Sequence, residues 1–431
     1  MNKFWFLILL VLANCSFDTK TGIWTDSKPL AKEKNNSIEI FKKKKSFQKE
    51  LNSSVKLELD LENLNKVKSD INTNNNGVIK KKISIKEISK FKFKKIDYFN
   101  HFEPDLVFDN ENYVFFDDKS NILKFDKKFK LVWKKNFYTK KERKLNPILT
   151  LALNNGDLIV TDTIGKIYKI NFLTGNLIWE KNNTFPFNSE LKIYENRAYV
   201  IDINNTLRCF SLENGKELWK FDSENTFLKS NKRNSIVLKN DVVFFNNSMG
   251  DVVAVDAING SLIWLTPTQN SSIYENAFSL KLSDLVIDNG DLLFSTNKNE
   301  FYSINLSNGI VNWKQNINSS VRPIILGNLI FTISNEGYLF IIQKLSGNII
   351  KVNDIFKNFK KTKRNQINPV GFIISSDKII VSNDNGKLLV VNLKTGQIES
   401  ILKIDNEKIS RPFVFDNQLV LVKDNAIIRL N

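Results

Sequence analysis

Short apolar runs alternate with polar turns from about residue 102 to the last residue. Leu158-Ile159-Val160, Val242-Val243-Phe244-Phe245, Leu292-Leu293-Phe294 and Ile379-Ile380-Val381 are each followed by a polar turn. Runs this short, rich in Val, Ile, Leu and aromatic residues and bounded by Asn, Asp and Gly, predict β-strands. No amphipathic helical pattern of ten residues appears among them. The strands come in units with a common ending. One unit runs from Gly165 through Gly175 to Trp179, and the next from Thr206 through Gly215 to Trp219. Two more run from Gly250 through Gly260 to Trp264 and from Glu300 through Gly309 to Trp313. An earlier unit ends at Trp133 without the Gly, and two later ones keep Gly347 and Gly396 but end at Lys351 and Ser400. These ends lie 46, 40, 45, 49, 38 and 49 residues apart, the period of a propeller blade.

Each recurring residue has a structural job. Gly165, Gly250, Gly337 and Gly386 sit where a tight turn needs positive φ, and Asn205 and Asn299 suit the same conformation. The Gly four residues before the Trp turns a hairpin between the third and fourth strands of a blade. Trp133, Trp179, Trp219, Trp264 and Trp313 are read as structural rings on outer strands, buried between neighbouring blades. After seven units come Arg411–Phe415, Leu419–Val422 and Ala426–Leu430, three strands of an eighth blade. A closed ring leaves no bare edge, so the fourth strand must come from upstream, and residues 83–98 are its only suitable source. The predicted fold is all-β: an eight-bladed β-propeller of four-stranded antiparallel blades over residues 83–431.

The N-terminal residues read differently. Lys3 and the ten apolar residues Phe4 to Ala13 form a processing signal too short for a permanent membrane span. The run ends at Leu12-Ala13-Asn14-Cys15, which resembles the lipobox of bacterial lipoproteins. That resemblance implies a signal peptide over 1–14, lipid attachment at Cys15 and, with Ser16 rather than Asp next, an outer-membrane destination. Cys209 is then the one thiol left, read as a small core residue. The net charge is +17, but residues 28–96 hold 19 Lys against 8 acidic residues, so a surplus of 11 sits in that stretch. It is Lys- and Asn-rich, with Lys42–Lys45 and Asn74–Asn76 as runs, and it lacks Trp, Cys and Met. Such composition buries too little apolar area to offset chain entropy, so residues 15–82 are assigned to a disordered tether and the charge is not ascribed to nucleic-acid binding.

The Gly-x-x-x-Trp ending resembles the quinoprotein-type (PQQ-like) propeller repeat. Together with the lipobox and the N-terminal closing strand, the chain from residue 83 onward is similar to the BamB family of outer-membrane-protein assembly lipoproteins. The resemblance implies a scaffold on the periplasmic face of the outer membrane. Its partners would be the periplasmic domains of the central barrel-assembly subunit, with unfolded outer-membrane proteins as further candidates. Catalysis is not expected. His101 is the one histidine, no adjacent Cys pair exists, and no phosphate loop or metal-spaced cluster occurs, so neither cofactor nor metal is assigned. The alternatives are a periplasmic quinoprotein-type enzyme and a propeller lipoprotein of another envelope complex. Basic residues cluster in the connections between blades: Lys140, Lys141, Arg143 and Lys144; Lys229, Lys232 and Arg233; Lys357, Lys360, Lys361, Lys363 and Arg364. Arg322 and Arg411 begin inner strands at the same level. This face is the expected docking surface, with Phe227, Leu228 and Arg233 near its centre; the family implies a related Leu/Arg loop in partner binding.

Overall fold

The computed structural model describes residues 15–17, 24–26, 46–58, 70–80, 82–83, 85, 87–102, 104–109, 111–224, 232–268, 280–415 and 418–430. They fall into two units, Met1–Lys44 and Lys45–Asn431. In the first, Cys15–Phe17 pairs antiparallel with Trp24–Asp26. The second is an eight-bladed propeller, each blade a four-stranded antiparallel sheet. First strands of neighbouring blades contact one another around the axis, and fourth strands form the rim.

Blade 1 comprises Val107–Phe108, Asn112–Phe116, Ile122–Asp126 and Leu131–Lys135, and blade 2 Leu149–Asn154, Asp157–Asp162, Lys166–Asn171 and Leu177–Asn182. Blade 3 begins at Lys192–Tyr194 and ends at Glu217–Asp222; blade 4 begins at Ile236–Lys239 and ends at Leu262–Thr266. Blades 5, 6 and 7 open with Val286–Asp288, Ile324–Leu326 and Pro369–Ile374, and close with Val311–Gln315, Ile349–Asp354 and Ile398–Lys403. Second strands such as Leu158-Ile159-Val160 are wholly buried, because neighbouring blades cover both faces of the sheet. That is why they read as continuous apolar runs rather than alternating ones.

The Trp and Gly of the repeat act as a pair across blades. A Cβ built on Gly215 would lie 2.6 Å from the Trp179 ring, and one on Gly260 would lie 2.5 Å from the Trp219 ring. Both glycines hold φ above +70°, so backbone conformation and space exclude a side chain together. Each Trp Nε1–H donates to a carbonyl of the next blade: Trp133 to Phe172, Trp179 to Leu212, Trp219 to Ala257, Trp264 to Leu306 and Trp313 to Lys344. The six turn positions expected at positive φ all adopt it. In blade 1, Phe129 takes the hairpin position at φ +59 and stacks on Tyr113 with centroids 5.1 Å apart.

The eighth blade contains Phe413–Phe415, Gln418–Lys423 and Ala426–Leu430, and its fourth strand is Glu87–Lys92, paired antiparallel with Ala426–Leu430. The ring is therefore stitched by both ends of the domain. Its seam with blade 1 is aromatic: Phe91 lies 4.1 Å from Phe125, and Tyr113 4.3 Å from Phe415.

Two stretches of the segment assigned to a tether are seated on the propeller. Leu51 exchanges backbone hydrogen bonds with Val352 at the rim of blade 6 (3.1 and 2.9 Å), the blade whose Trp position holds Lys351. Lys351 donates to the Val55 carbonyl, and Leu57 is buried against blades 6 and 7. The second stretch, 70–80, reaches the central axis. Low apolar content kept these residues out of the sequence-based core, yet hydrogen bonds, with Leu57 and Val78 packed on apolar core residues, hold them on the propeller.

Candidate functional site

The connections from a fourth strand to the next first strand emerge on one face. Thr139 caps the short helix Lys140–Arg143, accepting from the Glu142 amide while Glu142 accepts from the Thr139 amide. This presents Lys140, Lys141, Arg143 and Lys144 to solvent. A second short helix, Lys361–Arg364, exposes Lys361 and Lys363. Its Arg364 is pinned down instead, 2.7 Å from Asp354, bonded to the Glu336 carbonyl and stacked over Tyr338. Phe227 and Leu228 lie outside the described residues. His101 ends the 3-10 turn Phe99–His101 and is exposed. Cys209 is buried on a third strand, and burial pushes its thiol up to about 12.

Arg233, Arg322 and Arg411 are turned inward, into a charged ring at the channel. Each precedes a first strand, where curvature points side chains at the axis rather than outward. Asp105 accepts from both Arg233 and Arg411, the latter at 2.8 Å. Arg322 donates to Asp284 at 2.5 Å and to Glu190 at 3.0 Å. Glu190 also accepts from Ser235 Oγ at 2.7 Å and the Ile236 amide at 3.0 Å. Burial raises the Asp105 and Asp284 carboxyls, but the surrounding arginines outweigh it and hold both well below the usual carboxylate range. Glu190 is also lowered, burial being overcome by Lys192 and the arginines. Lys192 is brought down to about 8 by burial, with Glu190 opposing. The ring joins blades 1, 3, 4, 5, 6 and 8, and it is internally paired rather than a free cationic surface.

The Asn run is the part of this centre that composition concealed. Asn74 is 2% exposed, donates to Glu190 and accepts from Lys192, while Asn76 accepts from Arg322. In a Lys/Asn-rich stretch nothing marks these asparagines as different from their neighbours. The one available signal was Gly77, isolated in a segment otherwise without glycine from residue 23 to 155.

Comparison with known proteins adds a family. A family model described as outer membrane protein assembly factor BamB matches residues 118–353. Over 303 residues the chain is 20% identical to the outer membrane protein assembly factor BamB of Shewanella oneidensis, covering 67% of this chain and 73% of that one. The crystal structure of BamB from Moraxella catarrhalis superposes with a TM-score of 0.65 at 13% identity, over 81% of this chain and 100% of that one. A quinohemoprotein alcohol dehydrogenase from Pseudomonas putida gives 0.60 at 10% identity, over 83% and 78%. At such identities the two solved structures speak for the fold alone.

Proposed function

The chain belongs to the BamB family of outer membrane protein assembly factors, and from that premise we propose that it is a non-catalytic scaffold lipoprotein of the barrel-assembly machinery. The family match over residues 118–353 carries this reading. Lipid on Cys15 would hold the propeller at the periplasmic face of the outer membrane. The inter-blade loop face would dock on the periplasmic domains of the central barrel subunit and help unfolded outer-membrane proteins reach it.

Exposed Lys140, Lys141, Lys144, Lys361 and Lys363 support that face, since charge of one sign steers an oppositely charged partner. Arg233, Arg322 and Arg411 serve it from behind, by holding first strands in place. Phe227 and Leu228 would supply its apolar anchor. The test is affinity capture from detergent-solubilised membranes, comparing wild type with a Lys140→Glu/Lys361→Glu/Lys363→Glu variant. The wild type should recover the central barrel subunit, and charge reversal should reduce recovery about tenfold or more. Capture of a different envelope complex by the wild type would overturn the proposal.

A further inference from the structure

Residues 70–79 lie against the first strands of blades 4, 5 and 7 and reach the charged ring through Asn74 and Asn76. The Leu238 amide donates to the Asn72 carbonyl at 2.9 Å, and the Ile287 amide to the Thr73 carbonyl at 3.0 Å. Ile374 donates to the Gly77 carbonyl at 2.9 Å and accepts from the Ile79 amide at 2.8 Å. All three donors belong to first strands, whose channel-facing edge no strand of their own blade covers. The turn at 70–75 and the extended residues 77–79 satisfy these edges through their main chain.

Side chains add selectivity. The Asn74 Nδ2 donates to Glu190 and to the Leu285 carbonyl, both at 3.0 Å, and its Oδ1 accepts from Lys192 at 2.6 Å. An amide supplies both polarities at one point, which neither a carboxylate nor an ammonium does. Asn74 holds φ +59, a conformation that Asn and Asp tolerate best among side chains larger than Gly. At Gly77 a Cβ would fall 2.5 Å from Ile324 Cδ1, so the main chain passes flush against the wall of blade 6.

We infer that the propeller's central channel is a peptide-binding site and that residues 70–79 are its built-in ligand: a polar segment, turned at 70–75 and extended beside blade 7 at 77–79, whose asparagine amide is read by Lys192 and Glu190. The occupant ties blades 3 to 7 together across the axis. Its bonds are mostly polar, so it is a seated ligand rather than part of the apolar core. This inference stands independently of docking to the barrel-assembly complex.

The experiment is hydrogen exchange on the full chain, followed at Leu238, Ile287 and Ile374. Wild type should protect all three. Asn74→Asp keeps the backbone conformation but places a carboxylate against Glu190, and Gly77→Val collides with Ile324. Each should speed exchange at these amides by roughly a hundredfold, while third-strand amides such as Val253 and Ile341 stay protected. A synthetic peptide of residues 70–80 added to the Asn74→Asp chain should restore protection at Leu238 and Ile287; the same peptide with Asp at position 74 should not. Loop-like exchange of the three amides in wild type, unchanged protection in both variants, or no restoration by the wild-type peptide would each overturn the inference.

Discussion

At five of the eight seams, a single ring and a single missing Cβ hold neighbouring blades in register. Trp219 fills the space above Gly260 and donates to the Ala257 carbonyl in the same blade as that glycine. Gly260→Ala therefore meets both a disfavoured φ of +76 and a ring 2.5 Å away. Its expected cost is about 2 kcal/mol. Trp219→Phe removes the donor and part of the ring, for about 1–2 kcal/mol. Because the smaller ring makes room for the methyl group, the double variant should cost less than the two singles together by about 0.5 kcal/mol or more. Urea titration of the four proteins measures this coupling, and strict additivity would show that the contact is not energetically shared. These residues were legible from spacing, since a Trp and a Gly recurring at fixed distance announce a shared role. Asn74 was not legible, because its role depends on where the channel places Glu190 and Lys192, far away in sequence. Arg322 and Arg411 were legible as the starts of inner strands, but the inward direction of their side chains follows from ring curvature, which no local pattern encodes.

At the scale of elements, the ring depends on a strand that precedes it. Three strands without a fourth signalled a missing edge, and Glu87–Lys92 fills it at the aromatic seam with blade 1. Deleting residues 16–98 removes that strand and exposes the edge of Ala426–Leu430. This variant should lose cooperative thermal unfolding. Deleting 16–76 leaves the strand in place but strips the cover from blade 6 and most of the channel segment. It should fold, with a lower thermal midpoint than the full chain. Circular-dichroism melts separate the cases, and equal midpoints for the two deletions would exclude closure by this strand. The cover over blade 6 escaped the sequence reading for a definable reason. Where Trp gives way to Lys351, the rim lacks its usual ring, and Leu51, Val55 and Leu57 compensate from about 300 residues away. The loss of the Trp was visible in the sequence; what replaced it was not.

For the whole molecule, anchoring and charge set the behaviour that cells and test tubes will register. If Cys15 carries lipid, Cys15→Ser should move the chain from the membrane pellet to the soluble fraction, because stable anchoring needs more than one acyl chain's worth of attachment. A serine variant that still pellets in high salt would place the anchor elsewhere. The charged ring has a separate signature, in acid. Asp105, Asp284 and Glu190 are all held below their ordinary values by arginines and Lys192, so the unfolded chain binds more protons than the folded one once pH drops to about 4.5. The stability they contribute is then fully present above that pH and is lost as pH falls through their lowered values. Asp284→Asn removes one of these carboxylates and leaves Glu190 as the carboxylate bonded to Arg322 among the described residues. The variant should be less stable at pH 7 by about 3 kcal/mol, the scale of breaking a buried charge pair. The gap to wild type should narrow as pH falls from 5 to 3, because acid progressively takes from the wild type what the substitution has already removed. Urea midpoints measured along that range decide it: a gap that stays constant would mean that Asp284 is not stabilised by its arginines, and the ring would not be the electrostatic clasp that joins six of the eight blades.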